Sequence, residues 1–78
     1  MKTLAQMKQG EAGVVESVGG DARYMSRITS IGITPGCTVK IIKNDRNRPV
    51  IVYTRDTMIA LNEKECSNIV VKEGAYND

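Results

Sequence analysis

Hydrophobic and polar positions alternate with two different periods along the chain. Short apolar segments with a period near two, typical of strands, cover residues 12–18, 37–42, 49–54, 57–61 and 68–72. Between the first two segments, Tyr24, Ile28 and Ile31 follow the i, i+4, i+7 spacing of a helix that packs on a core. The pattern predicts five short strands, with a helix over residues 22–31 inserted after the first strand.

The residues between these segments agree with the predicted ends. Asp21 is a suitable N-cap for the helix, and Gly32 stands where a helix C-terminus favours a residue with positive φ. Pro35-Gly36 is the pair that a type II turn favours. Gly13, inside the first strand, predicts a bulge or bend at that position.

Two shorter helical turns are predicted near the ends of the chain. Thr3 is placed to cap a turn over the residues that follow, with Leu4 on its apolar side. Asn62 and Glu65 have the spacing of a capping box, which predicts a single turn over residues 63–66.

The kind of hydrophobic residue indicates a mostly β fold. The chain has eight Val and eight Ile but two Leu, and β-branched side chains suit a pleated sheet. Five short strands cannot form a large open sheet with protected edges, so the first strand is expected to pair with the last and close a barrel. We predict an all-β, SH3-like barrel as one domain over residues 1–74, with a flexible tail at 75–78. An uncovered first or last strand would also let copies of the chain pair weakly through their edges.

Composition excludes several classes of function. The formal net charge is +2 and only three side chains are aromatic, which is unlike a dedicated nucleic-acid binder. No apolar run exceeds four residues and no apolar segment opens the chain, so we expect a cytoplasmic protein without membrane insertion. With no histidine in the chain, Cys37 and Cys66 lack a base to activate them and a ligand set for zinc, and are expected as buried thiols. We therefore predict no enzyme activity, no cofactor and no tight metal site within one chain. A weak site, or one shared between chains, is the alternative, with Asp56, Glu63 and Glu65 as its candidate oxygen ligands beside Cys66.

The segment from Arg27 to Gly36, RITSIGITPG, resembles the signature of the FeoA family, small cytosolic proteins of bacterial ferrous iron uptake. The family pattern is Arg-Leu, two variable residues, a large apolar residue and then Gly-apolar-x-Pro-Gly. Ile28 in place of Leu is the one departure in this segment, and weaker matches extend over residues 3–72. The residues to which this resemblance gives a structural role are Arg27, Gly32, Pro35 and Gly36.

The resemblance implies an SH3-like barrel without catalytic residues. The family is associated with a membrane ferrous-iron transporter that carries a cytosolic G-protein domain. The implied function is an accessory module that binds and regulates the cytosolic part of such a transporter. The same type of domain occurs at the C-terminus of iron- and manganese-responsive repressors. A detached regulator domain, or an SH3-like module associated with nucleic acid, is therefore the alternative.

The mild net charge conceals a separation of charge along the chain. Residues 40–55 carry five basic side chains and one acidic one, whereas residues 56–78 carry two basic and five acidic ones. We predict that a basic lobe bearing Lys43, Arg46 and Arg48 steers the domain onto an acidic partner surface. The alternative is a protruding loop whose charge only keeps it soluble.

The predicted helix carries a second set of candidate residues. Arg23 and Arg27 are four residues apart, where like charges repel unless a carboxylate such as Glu16 or Asp21 compensates them. Otherwise their guanidinium groups are available to a carboxylate or phosphate of a partner. Met25 is expected to stay partly exposed and to offer an adaptable apolar contact to a partner.

Overall fold

The structure, a computed structural model, describes residues 2–73 of the chain. The elements in chain order are β1 (Lys2–Thr3), a 3-10 turn (Leu4–Gln6), β2 (Ala12–Val18), α1 (Ala22–Ser30), β3 (Thr38–Lys43), β4 (Val50–Thr54), β5 (Thr57–Leu61), α2 (Glu63–Cys66) and β6 (Ile69–Glu73). Among these residues, no helix is long and apolar enough to cross a bilayer. The tail predicted at 75–78 lies outside the described residues.

The described strands form an antiparallel sheet in the order β1-β6-β2-β3-β4-β5. As predicted, β2 pairs with the closing strand β6, with Val15 opposite Val71. This is the SH3-like architecture expected from the sequence, with α1 inserted between β2 and β3. The short strand β1 was not predicted, because two residues are too few to show a hydrophobic period.

The sheet and α1 surround an apolar core in which Val and Ile predominate. Ile28 anchors α1 in this core and is fully buried. A buried side chain of this size contributes about 1.5–3 kcal/mol relative to an exposed one. Both cysteines are buried with free thiols, as predicted. The core residues are Leu4, Met7, Val15, Ile28, Ile33, Cys37, Val39, Ile41, Val50, Val52, Leu61, Cys66, Ile69 and Val71.

The predicted bulge at Gly13 is wrong, because Gly13 is buried and regularly paired with Val39. The irregularity in β2 lies between Val15 and Ser17, where an extra residue interrupts the pairing with β6. This extra residue exchanges the core-facing and solvent-facing positions in the part of β2 that follows it. Val15 and Val18, three positions apart, therefore both pack against the core.

The ends of α1 have the predicted caps. The Asp21 carboxylate accepts a hydrogen bond from the Tyr24 backbone N–H at 2.8 Å. The helix is one residue shorter than predicted, with Ile31 as its C-cap and Gly32 following at φ +99°. The turn at Pro35-Gly36 is closed by a hydrogen bond from the Cys37 N–H to the Thr34 carbonyl at 3.1 Å.

The hairpin between β4 and β5 has a two-residue turn. Arg55 and Asp56 have φ values of +50° and +63°, as a type I′ turn requires. Thr54 lies opposite Thr57 at the first position of the ladder. This turn fixes the register of β5, which forms one edge of the described sheet.

Candidate functional site

A surface cleft of about 710 Å³ lies between the loop that follows β3 and the N-terminus of α2. Two of the candidate residues, Arg46 and Arg48, line it, and both are exposed. The lining residues are Ala5, Asn44, Asp45, Arg46, Asn47, Arg48, Pro49, Val50, Asn62 and Glu63. We call this the arginine cleft.

Asn44 anchors the loop of the arginine cleft. Its side-chain amide donates to the Met7 carbonyl at 2.6 Å and to the Ala5 carbonyl at 3.4 Å. The Arg48 N–H donates to the Asp45 carbonyl at 3.2 Å, which closes a turn within the loop. The loop that presents the arginines is therefore tied to the N-terminal segment. The sequence does not reveal this role of Asn44, because its acceptors are backbone carbonyls more than 35 positions away.

The charged side chains of this loop differ in their partners. The Lys43 ammonium lies 3.6 Å from the Asp45 carboxylate, with both side chains largely exposed. Exposed ion pairs of this kind contribute little to stability. Within residues 2–73, Arg46 and Arg48 form no ion pair. Their guanidinium groups are therefore available to a ligand or partner in the arginine cleft.

A second cleft, of about 480 Å³, lies between α1 and α2. The candidate residue Arg23 lines it, and Asn62 lines both clefts, so they adjoin at the N-terminus of α2. The lining residues are Gly20, Asp21, Arg23, Tyr24, Arg27, Asn62, Lys64, Glu65 and Asn68. Met25 lines neither cleft, but it is 41% exposed on α1, as predicted.

Arg27 is compensated by Glu65, and not by Glu16 or Asp21 as the sequence suggested. The Arg27 guanidinium forms an ion pair with the Glu65 carboxylate, whose other oxygen accepts the Asn62 N–H at 3.0 Å. The Tyr24 hydroxyl donates to the Glu65 backbone carbonyl. Glu65 thus joins α1 to α2 and completes the predicted capping box.

Burial raises the pKa values of two groups beside the contact between Arg27 and Glu65, the Cys66 thiol and the Tyr24 hydroxyl. Burial, with a smaller contribution from the charge of Glu63, raises the pKa of the Cys66 thiol to about 12. Burial also raises the pKa of Tyr24, a shift that Cys66 increases and Arg27 opposes. At neutral pH both groups keep their protons. A protonated thiol is a poor nucleophile, so Cys66 behaves as a core residue.

Several apolar side chains are exposed on the sheet and were not identified as candidates. Tyr53 and Met58 are cross-strand partners on β4 and β5, with exposures of 40% and 64%. Ile42 is 37% exposed beside the irregularity in β3. Among the described residues, no three or more His, Cys, Asp or Glu side chains are grouped closely enough to hold a metal ion.

The fold and these surfaces define a small SH3-like domain with charged clefts. The chain matches the FeoA domain over residues 2–73 and belongs to that family. It is 34% identical over 76 residues to a Methanocaldococcus jannaschii protein provisionally named Fe(2+) transport protein A, covering 97% of this chain and 92% of that protein.

Solved structures share the fold. The FeoA protein of Stenotrophomonas maltophilia, determined in complex with zinc and described as an SH3 domain protein, has a TM-score of 0.80 and 25% identity. The alignment covers 92% of this chain and 91% of that protein. A manganese-dependent transcriptional repressor has a TM-score of 0.86 and 18% identity, over 92% of this chain and 41% of the repressor. The second likeness shows the fold alone.

Proposed function

We propose that this chain is a non-enzymatic, cytoplasmic accessory module of ferrous iron uptake that docks on the cytosolic part of a membrane iron transporter carrying a G-protein domain. Membership of the FeoA domain family over residues 2–73 supports this assignment. So does the 34% identity to a protein named for Fe(2+) transport. The zinc-bound FeoA relative is itself described in terms of activating ferrous iron transport.

The observation that carries the docking proposal is the pair of arginines without ion-pair partners in the arginine cleft. Arg46 and Arg48 are exposed there and form no ion pair within the described part of the chain. Guanidinium groups present a planar fork of donors that matches a carboxylate. Arg46 and Arg48 therefore favour an acidic segment of the partner, although Asp45 and Glu63 also line the cleft. The excess of basic side chains over residues 40–55 would mainly increase the association rate.

The helix residues extend this surface. Arg23 lines the adjoining cleft and is exposed, and Met25 presents an apolar side chain on the same helix. Lys43 stands at the stem of the loop, already paired with Asp45. In this proposal Arg46 and Arg48 make the main contacts, Arg23 and Met25 add peripheral ones, and Lys43 contributes only to the field.

The proposal is tested by binding of the purified chain to the purified cytosolic region of the transporter, measured by biolayer interferometry at low and high salt. We expect specific binding that weakens by about tenfold as the salt rises, because electrostatic attraction is screened. Absence of binding at low salt would contradict the docking proposal.

The alternative function is tested with single- and double-stranded oligonucleotides in the same binding assay. This chain shares its fold with a manganese-dependent repressor. The alternative function is therefore that of a regulator-type domain or of a module associated with nucleic acid. Salt-sensitive binding to oligonucleotides, without binding to the transporter region, would support that alternative. Proteins that bind single strands usually stack bases on aromatic side chains, and this chain has only three.

A further inference from the structure

Exposed apolar side chains are concentrated on one part of the sheet. Of the four large hydrophobic side chains that are exposed within residues 2–73, three lie on β3, β4 and β5, namely Ile42, Tyr53 and Met58. The fourth, Met25, lies on α1 instead. Exposed hydrophobic residues scattered singly over a surface are ordinary, whereas a group of them marks an interaction site.

The strand register places these side chains next to each other. Lys40 is paired with Tyr53, and Tyr53 with Met58, so the three form one row across β3, β4 and β5. Ile42 follows Lys40 by two positions and shares its face of β3. We call the group on this face the outer patch, and all of its members except the half-buried Ile51 are exposed. Its residues are Lys40, Ile42, Ile51, Tyr53, Met58 and Ala60.

The outer patch has one charge, and it is positive. Lys40 forms no ion pair within the described residues. Two carboxylates lie at the margin of the patch, and each has a partner. Asp45 lies 3.6 Å from the Lys43 ammonium, and Asp56 accepts a hydrogen bond from the Tyr53 hydroxyl at 3.0 Å. An unpaired lysine among apolar side chains complements a surface that is anionic outside and apolar beneath.

The curvature of the sheet favours lipid over a peptide as the occupant. The inner faces of β2 to β6 contribute to one core, so the sheet curls around it and its outer face is convex. No residue of the outer patch lines either of the two clefts described above. Peptides usually bind in grooves, because a convex face gives them little area to bury. Mobile lipid headgroups, in contrast, surround side chains that protrude.

We infer that the outer patch rests on an anionic lipid surface without crossing it. Met58 and Ile42 reach toward the boundary between headgroups and acyl chains, where apolar side chains of interfacial segments are buried. The Tyr53 ring, apolar with a polar end, is of the kind enriched at that boundary. The Lys40 stem lies along the apolar side chains, and its ammonium reaches the lipid phosphates. The inference goes beyond the docking proposal and does not depend on it.

Flotation of the full chain with vesicles tests the inference with no transporter present. Three partly exposed side chains bury less apolar surface than a myristoyl chain, so we expect half-maximal binding near about 1 mM accessible lipid. The vesicles contain equal parts of phosphatidylglycerol and phosphatidylcholine. Binding to phosphatidylcholine alone should be at least about fivefold weaker, as expected for one lysine at an anionic surface. Absence of binding at about 5 mM anionic lipid and low salt overturns the inference, even if the patch binds another protein.

Paired variants show whether the outer patch makes the contact. M58S should weaken vesicle binding about fivefold, whereas M25S, at the exposed methionine of α1, should weaken it less than about twofold. K40E should weaken it at least about fivefold, and K64E, at an exposed position of α2, much less. All four positions are exposed, so the urea midpoints should stay close to that of the wild type. Equal weakening by the two methionine variants, or by the two lysine variants, overturns the inference.

Tryptophan reporters show which face meets the lipid. The chain has no tryptophan of its own, so a single introduced one reports its surroundings alone. On vesicle binding, M58W emission should shift to shorter wavelength and be quenched by brominated acyl chains, whereas M25W emission should change little. Quenching of M25W without quenching of M58W would place α1 on the lipid and overturn the inference.

Discussion

Arginines on the two sides of α2 have different surroundings. In the cleft between α1 and α2, Arg27 forms an ion pair with Glu65, which also caps α2 through the Asn62 N–H. In the arginine cleft, Arg46 and Arg48 form no ion pair within residues 2–73. The two clefts adjoin at Asn62, yet one contains a completed polar contact and the other presents free donors.

This difference separates residues that hold the fold from residues available to a partner. An arginine whose charge is matched within the chain contributes to stability, and its removal leaves a carboxylate without its partner. An exposed arginine without a partner contributes almost nothing to the stability of the monomer. Substitutions on the two sides of α2 should therefore change different measured quantities.

The largest expected effect is a loss of stability at alkaline pH. It arises from Cys66 of α2, which follows Glu65, the ion-pair partner of Arg27. The pKa of Cys66 is raised from its usual 9.0 to about 12, so the folded state keeps a proton that the unfolded state loses. Its contribution to stability is complete below pH 9 and is lost between pH 9 and pH 12. From pH 9 to 11 the free energy of unfolding should fall by about 3 kcal/mol at most.

Urea unfolding at several pH values measures this effect, with Cys66→Ala as the control. The raised pKa of Tyr24 acts in the same direction, so the variant should retain a shallower decline. An identical decline in the wild type and in Cys66→Ala would show that the buried thiol is not responsible.

A loss of stability of comparable size is expected for Gly20→Ala at the entry to α1. Gly20 has φ +103°, and a Cβ there would lie 2.6 Å from Cδ2 of the Tyr24 ring. Backbone strain and this clash together should cost about 2–4 kcal/mol. Gly36→Ala is the control, since φ is +97° but no atom lies within 4 Å of the added Cβ. It should cost about 1–2 kcal/mol. Equal unfolding midpoints for the two variants would contradict the close packing of the Tyr24 ring on Gly20.

A smaller effect is expected for Glu65→Ala, which removes the ion pair with Arg27 and half of the capping box. Because the Arg27 side chain is half exposed, the two losses together should cost about 1–2 kcal/mol. Glu63→Ala, on the same short helix, should stay within about 0.5 kcal/mol. Guanidinium unfolding compares the two variants, and a larger loss for Glu63→Ala would reverse the assigned roles.

Much of the fold was predictable from local patterns. The bounds of β2 and the caps at Asp21 and Asn62 depend on residues close in sequence, which periodicity and spacing reveal. The irregularity between Val15 and Ser17 was not predictable, because it is defined by the register with β6, more than 50 positions away. Local spacing contains no information about that pairing.

The candidate site was predictable only in part, for the same reason. The basic composition of residues 40–55 indicated Arg46 and Arg48 directly. The partner of Arg27 was misassigned, because Glu65 is brought to α1 by the packing of α2. The anchoring of the loop by Asn44 likewise depends on contacts between distant segments. Residue type showed which groups were available, and the tertiary structure determined which of them were already paired.

The arginine cleft is tested most directly by the R46E/R48E variant, measured for stability and partner binding together. The free energy of unfolding should change by less than about 0.5 kcal/mol, because neither arginine has an ion-pair partner in the described chain. Binding to the cytosolic region of the transporter at low salt should weaken at least about tenfold. K40E/K72E changes the net charge equally at exposed positions outside the cleft and should weaken binding much less. Unchanged binding by R46E/R48E, or equal weakening by both variants, would contradict the arginine cleft as the docking surface.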